Sequence, residues 1–345
     1  MADPRILIQG VGGIGGVTAA RLLRAGYSCL LVTGNEEIAH AINTGGLQVT
    51  TQRERFVQEA RAFPTLDDLP DVRFDLSLLV MKAHPVVEIA RQTVPRLEPW
   101  GYVVTCQNGI VEDDVAAAVG RKRVVSAIVG WGGTMHEPGV YEKTGPGSIH
   151  IGELDGGLSD RVQELSKVLE SVTPVVMQKN IRGALWSKLA INSIVTTLGA
   201  LTGETLGVML AQRRIRDVAL VLYSEVVGTA EAAGVKLERI VAHPKLLYLP
   251  PDPLPGERWL KDLLARLVGR RYGRLRSSML QSLERGRKSE IDFLNGHVVR
   301  KAREVDVAVP VNEALVRMIK EIEAGERPIG MQNMDELVAV TLEGA

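Results

Sequence analysis

A short apolar run, Ile6, Leu7 and Ile8, leads directly into Gly10-x-Gly12-x-x-Gly15, and a helical pattern (VTAARLLRAG, 17–26) follows at once. Strand, glycine turn and helix in that order open a βαβ unit, and this context is what a dinucleotide fingerprint requires. Each glycine has a separate task. Gly10 permits the tight turn, Gly12 lets backbone approach a pyrophosphate, and Gly15 lets the helix pack close to the strand. Val11, Gly13 and Ile14 complete the turn, whose N–H groups at the helix start face the phosphates. Residues 10–15 are therefore the expected cofactor cradle. An ordinary glycine-rich βα turn is the simpler alternative.

The rest of the first half continues the pattern. Apolar runs at 5–9, 28–33, 75–81, 102–106 and 124–129 alternate with helical stretches near 14–25, 35–43, 84–95, 111–119 and 159–171. Such alternation predicts a parallel sheet covered on both faces. Two extended runs around a Gly-Pro-Gly turn (138–152) read as an antiparallel hairpin added to that sheet, and 174–177 as one more short strand. From about residue 181 helical periodicity takes over, at 181–199, 212–233, 273–285, 290–304 and 311–324. The expected fold is α/β: an N-terminal Rossmann-type parallel-sheet domain (1–180) followed by an all-helical C-terminal domain (181–345). The prolines of PPDPLPG (250–256) predict an extended loop. The segment after it, with Arg266, Arg270, Arg271, Arg274 and Arg276, reads as a solvated helix face, an anion or partner site being the alternative.

Composition narrows the function classes. Among 345 residues, 41 are Lys or Arg and 41 Asp or Glu, so the chain lacks the basic footprint of a nucleic-acid binder. Its two cysteines, Cys29 and Cys106, fall in expected strands and read as small core residues of a reducing compartment. No uninterrupted apolar run is long enough to cross a bilayer. A cytoplasmic protein without nucleic-acid or membrane partners is expected, and no metal-ligand spacing stands out.

Two groups of residues carry candidate chemistry. On the helix at 184–201, Lys188, Asn192 and Thr196 share one arc at 100° per residue, while leucines, isoleucines and Val195 occupy the remaining surface. A helix apolar on most sides is buried. Desolvation lowers the pKa of an ammonium, which suits a proton donor near neutral pH; a lysine that snorkels to the helix edge is the plainer reading. The second group lies in 276–296. There Ser289 and Asp292 resemble a capping box, Glu290 falls in the first turn of a new helix, and Ser278 is a neutral polar group. In the first domain Lys82 and Asn108 follow apolar runs, at the carboxyl ends of strands where doubly wound sheets bind ligands. A solvated lysine and an Asn-Gly turn would give the same pattern. The loop 130–135, which contains Thr134, also follows a strand and is a candidate cofactor contact.

Taken together, GVGGIG (10–15), MKAH (81–84), QNG (107–109), SKLAIN (187–192) and SSMLQSLERGRKSEIDFLNG (277–296) resemble the ketopantoate reductases (2-dehydropantoate 2-reductases) over nearly the whole chain. The resemblance implies reduction of a branched 2-keto acid, ketopantoate, by NADPH in a cleft between the domains. It implies Lys188 as proton donor, and Glu290 beside it and the cofactor ribose. Asn192, Thr196 and Ser278 fall at substrate positions, Asn108 near both the nicotinamide and the substrate, and Lys82 on the cofactor. Three positions depart from the family pattern. Thr196 and Leu275 stand where asparagines are usual, which opens the reading to another branched 2-keto acid. Thr33, Gly34, Asn35 and Glu36 contain no arginine for a 2′-phosphate, so NAD(H) stands beside NADP(H) as the cofactor, with Glu36 able to meet a ribose 2′-hydroxyl. A non-catalytic dinucleotide-binding redox sensor is the alternative from another class, and a homodimer is left open. The segment 245–272 is longer than is usual in the family.

Overall fold

A computed structural model of the chain describes residues 4–240 and 242–343. It divides into two compact units, one made of the residues up to Gln107 and 111–181, the other of 108–110 and the residues from 182 onward.

The first unit runs β1 (Arg5–Gln9), α1 (Gly13–Arg24), β2 (Ser28–Val32), α2 (Glu36–Gly45), β3 (Leu47–Thr50), β4 (Arg55–Gln58), β5 (Ala62–Phe63), β6 (Phe74–Leu79), α3 (Val86–Thr93), β7 (Leu97–Thr105), α4 (Glu112–Val119), β8 (Val124–Val129), β9 (Gly133–Glu137), β10 (Val140–Lys143), β11 (Ile149–Glu153), α5 (Asp160–Glu170) and β12 (Val175–Met177). Eight strands form the main sheet in the order β12-β11-β8-β7-β6-β1-β2-β5. The six from β5 to β8 are parallel, and β11 joins β8 antiparallel. Ile6, Leu7, Ile8, Leu31, Leu78 and Val104 are all but fully buried, as strands covered on both faces must be. The chain leaves β1 toward β2 on one side and returns to β6 on the other. The glycine turn therefore sits at the switch point of the sheet, where ligands bind.

The expected hairpin at 138–152 does not form. β10 pairs with β9 and β3 in a separate four-stranded sheet, whereas β11 joins the main sheet. The second sheet covers α1 with Tyr141, and a Cβ on Gly16 would lie 2.3 Å from that ring, so the helix face must stay bare there. Cys29 is buried in β2, but Cys106 lies just past the end of β7 and is only half-buried.

The 108–110 segment belongs to the helical unit, whose helices are α6 (Ile181–Val195), α7 (Thr197–Thr202), α8 (Leu206–Ala211), α9 (Arg213–Ala232), α10 (Glu257–Arg271), α11 (Ser278–Glu284), α12 (Asn295–Glu304), α13 (Pro310–Glu323) and α14 (Asn333–Glu343). The helix expected over 181–199 breaks at Thr196. Ser193 and Thr197 return their hydroxyls to carbonyls of their own helix, a bonding mode that bends helices. The helix expected over 273–285 is confined to 278–284, and no helix enters 250–256. Ile181–Thr202 is long and apolar enough to cross a membrane by length and composition, yet 78% of its apolar window is buried in the protein, the mark of a core helix.

In each unit a carboxylate supports the frame, half-buried Glu225 in one and buried Glu112 in the other. In the helical unit Glu225 of α9 accepts the backbone N–H groups of Val311 and Asn312, at 3.0 and 2.9 Å, and so caps α13 from outside. In the first unit Glu112 accepts the Thr105 and Ser126 hydroxyls at 2.9 and 2.8 Å and the Val111 N–H at 3.0 Å. Burial outweighs these bonds and raises the Glu112 pKa. A carboxyl whose folded pKa is raised contributes its stability fully below its unfolded pKa and loses it as pH climbs through the folded value. Glu112→Gln removes this dependence. Denaturant titrations across a pH series are therefore expected to show the variant gaining on the parent as pH rises from the ordinary carboxylate range. A constant difference at every pH would contradict the assignment.

Candidate active site

The glycine turn has the geometry that a pyrophosphate needs. Gly10 has φ +90°, and a Cβ there would come within 2.4 Å of the Met81 nitrogen. A Cβ on Gly15 would fall 2.0 Å from the Gly10 carbonyl oxygen, so helix and turn touch backbone to backbone. A Cβ on Gly12 would meet nothing within 4 Å. Gly12 is also the N-cap of α1, no side chain caps that end, and the first turn holds no acidic residue. The first N–H groups of α1 are left to an anion beside an open glycine, and the dipole favours negative charge there. The residues present thus fit a dinucleotide.

The neighbouring loops are fixed by groups that sequence reading did not single out. Gln107, buried, donates from Nε2 to the carbonyls of Leu79 and Met81 at 2.8 and 3.1 Å, while its Oε1 accepts the Cys106 N–H at 3.0 Å. It ties the ends of β6 and β7 together and sets the loop that carries exposed Lys82. Tyr141 donates its hydroxyl to the Val11 carbonyl at 3.2 Å and pins the glycine turn from the second sheet. Nothing local to Tyr141 signals this; Gln107 was visible as the first residue of QNG. Val11 is buried and Ile14 half-buried. Thr134 lies in strand β9 and not in a loop, but a Cβ on Gly13 would be 2.7 Å from its nitrogen, so it does flank the start of α1.

After β2 the chain closes on itself. Thr33 Oγ1 accepts the Asn35 N–H at 3.1 Å and donates to the Asn35 carbonyl at 2.6 Å. The Asn35 side chain caps α2 through the Ile38 N–H at 2.9 Å. Glu36 follows as the first residue of α2, exposed, at the carboxyl end of the strand next to β1.

In the helical unit Lys188 and Asn192 are half-buried along one arc of α6 together with Ile191 and Val195, and Thr196, also half-buried, continues the arc just past the helix end; Trp186, Ser187, Leu189, Ala190, Ser193 and Ile194 are buried around them. Ser277 extends this arc. Its hydroxyl donates to the Thr196 carbonyl at 2.5 Å and accepts the Leu280 N–H at 3.0 Å, so one serine both caps α11 and moors it to the α6 break. Ser278 is thereby placed, exposed, as the first residue of α11 beside Thr196.

Glu290 is buried, 7% exposed, but not in the first turn of a long helix. It stands immediately before a single 3-10 turn, Ile291–Phe293, without a side-chain capping bond, and α12 begins only at Asn295. Ser289 serves that turn, accepting the Ile291 N–H at 3.2 Å, in place of the expected capping box. The same turn holds the segment that follows Asn108. The Phe293 carbonyl accepts the Ile110 N–H at 3.0 Å, and a Cβ on Gly109 (φ +90°) would lie 2.3 Å from that oxygen. Trp186 of α6 meets His297 edge to face at 5.5 Å and so joins α6 to α12, the helix that follows the Glu290 turn. Lys188, Asn192, Thr196, Ser278, Glu290 and Asn108 are thus carried by connected elements of one unit. The glycine turn, Lys82 and Thr134 are carried by the other. Among the described residues no cluster of His, Cys, Asp and Glu could hold a metal ion.

Comparison with known proteins decides the family. Residues 6–156 match the family model for ketopantoate reductase PanE/ApbA, and 180–323 match that for its C-terminal domain. The chain belongs to the ketopantoate reductase family. A 2-dehydropantoate 2-reductase of Mesorhizobium japonicum is 28% identical over 340 residues, covering 92% of this chain and 97% of that one. One from Pyrococcus abyssi is 28% identical over 323 residues, covering 93% and 99%. Among solved structures, a PanE/ApbA family ketopantoate reductase from Ralstonia eutropha superposes with a TM-score of 0.79 at 26% identity, over 93% of this chain and 99% of that one. D-mandelate dehydrogenase, solved with NADH and anilino(oxo)acetate, shares the fold at a TM-score of 0.80 and 20% identity, over 93% and 99%. Family membership makes the chain an oxidoreductase built on a nicotinamide dinucleotide domain.

Proposed function

We propose that this protein reduces a branched 2-keto acid, ketopantoate, to the 2-hydroxy acid, with Lys188 as proton donor, in the cytoplasm. The observation that carries the reading is the half-buried polar arc of Lys188, Asn192 and Thr196 on a largely buried helix, to which Ser277 moors the helix that begins at Ser278. When bound, the nicotinamide supplies hydride to the keto carbon. Gly10 to Gly15 hold the pyrophosphate, and Lys82 and Thr134 flank it. The Lys188 ammonium polarises the substrate carbonyl, stabilises the developing alkoxide and then transfers its proton to that oxygen. Glu290 keeps the ammonium charged and oriented and meets the cofactor ribose. Asn108, Asn192, Thr196 and Ser278 orient the carboxylate and hydroxyl of the substrate. A sensor of dinucleotide redox state would have no use for a half-buried lysine among four neutral donors.

Family resemblance supports NADPH as the reductant. A second reading, NADH, is favoured by the loop after β2. Its Thr33 and Asn35 hydrogen-bond within the loop and α2, it contains no cation, and Glu36 is exposed where a 2′-phosphate would be repelled and a 2′-hydroxyl accepted. One assay tests substrate and cofactor together. Oxidation of NADPH and NADH is followed at 340 nm (the nicotinamide band, at roughly that wavelength) with ketopantoate and a panel of other 2-keto acids, ranked by kcat/KM. Ketopantoate is expected to rank first. Turnover of none of them with either cofactor would overturn the reading.

A further inference from the structure

Helix α10 has two apolar faces, and the protein covers only one. On the inner side a Cβ on Gly269 would meet Leu210 of α8 at 2.7 Å, and Asp262 pairs with Arg216 of α9 at 2.6 Å. On the outer side Leu260 and Leu267 are 47% and 48% exposed, Leu263 and Leu264 lie half-buried between them, and Trp259 is 69% exposed. A contiguous apolar surface of this kind, rimmed by arginines, marks an interaction site on a folded protein. The proline-rich loop before it presents Leu254, 75% exposed, to the same solvent.

We propose that this face joins two copies of the chain, with their α10 helices antiparallel about a two-fold axis. The order of residues along the helix carries the proposal. Leu260 and Leu267 stand equally far from the point between Leu263 and Leu264. A two-fold axis there sets Leu260 of one copy against Leu267 of the other and gathers Leu263 and Leu264 at the centre, the self-complementarity an isologous contact requires. The charges obey the same symmetry. At 100° per residue Glu257 and Arg271 fall on one side of the leucine stripe at opposite ends of the helix, so antiparallel packing brings each Glu257 beside the Arg271 of the other copy. Trp259 and Arg270 share the other flank and meet in the same manner, guanidinium to indole. Glu257 is already held at the helix start by the Leu254 N–H, 3.2 Å from its carboxylate. A parallel pairing would instead stack Arg270 and Arg271 on their equivalents, like charge on like.

Sedimentation velocity on the full chain at low micromolar concentration tests this. A dimer is expected. Leu260→Asp and Leu267→Asp are each expected to weaken association by at least about tenfold while circular dichroism stays unchanged, since both side chains are exposed. Arg271→Glu is expected to weaken it as well, and adding Glu257→Arg to the same chain to restore it, an effect that loss of fold cannot imitate. A monomeric parent, a dimer indifferent to Leu267→Asp, or a charge exchange that restores nothing would overturn the proposal. A monomer that floats with phosphatidylglycerol vesicles would assign the face to anionic lipid and overturn it equally.

Discussion

Lys188→Ala is expected to lower kcat with the preferred 2-keto acid by roughly a hundredfold to ten-thousandfold, the usual worth of a general acid. The affinity for the dinucleotide, measured by fluorescence titration without substrate, is expected to stay within about twofold. The split follows from where the residue is carried. Lys188 projects from α6 in the helical unit, whereas the glycine turn, Lys82 and Thr134 belong to the sheet unit. The variant is expected to fold, because Lys188 is half-buried and its loss leaves the buried flank of Trp186, Leu189 and Ala190 intact. Lys188→Arg keeps the charge but spreads it over a planar fork that presents its protons in other directions and gives them up far less readily. It is expected to regain substrate binding before turnover. Parent-like kcat in Lys188→Ala would remove the lysine from the proton path.

Residues legible in the sequence are those whose physics is local. Period-2 and period-3.6 patterns place β1, α1, β2, β6 and β8 within a few residues, and the buried end of β7, whose start at Leu97 lies further upstream, because strands covered on both faces and helices with one buried face write their burial into consecutive residues. The four-stranded second sheet escaped this reading. β3 and β4 alternate buried or half-buried with exposed residues, Leu47 and Val49 against Gln48, in runs too short and polar to stand out. β10 looked like the partner of β11 because the two are near in sequence. Its register instead sets Val140 beside Gln48, a pairing across the whole unit that only the finished fold dictates. The candidate site divides in the same way. Lys188 and Asn192 are legible as an arc because they share one helix, and Thr196 because it follows at the same spacing, at the break. Ser277 is not distinguishable from its neighbour Ser278 in the sequence, since the distinction between cap and first helical residue depends on where α11 begins. Asn108 was legible at a strand end, but its membership of the helical unit was not. That membership rests on the Ile110 N–H reaching the Phe293 carbonyl, nearly two hundred residues on.

Two glycine substitutions separate what the turn does for the fold from what it does for the cofactor. Gly12→Ala is expected to leave the thermal midpoint within a few degrees of the parent, since the new methyl meets nothing within 4 Å and Gly12 is in an extended conformation open to any residue (φ −81°, ψ −161°). Its dinucleotide affinity is expected to fall by about a hundredfold or more. The methyl would stand where backbone must approach the pyrophosphate, and a phosphate pushed off the α1 N–H groups loses charge-assisted bonds that only close contact supplies. Gly10→Ala is expected to do the reverse damage first. At φ +90° an L-residue is strained, and its Cβ would lie 2.4 Å from the Met81 nitrogen and 2.6 Å from its Cα. Those are backbone atoms, held by the Gln107 bond to the Met81 carbonyl and by the Gly10 N–H to the Val32 carbonyl at 2.9 Å, so neither side can yield cheaply. Destabilisation of several kcal/mol, in the range of severe backbone and packing conflicts, is expected in thermal or denaturant unfolding. If Gly12→Ala bound the dinucleotide as the parent does, the open side of the turn would not be the phosphate site. If Gly10→Ala unfolded like the parent, the close contact between β1 and the loop after β6 would not be what shapes it.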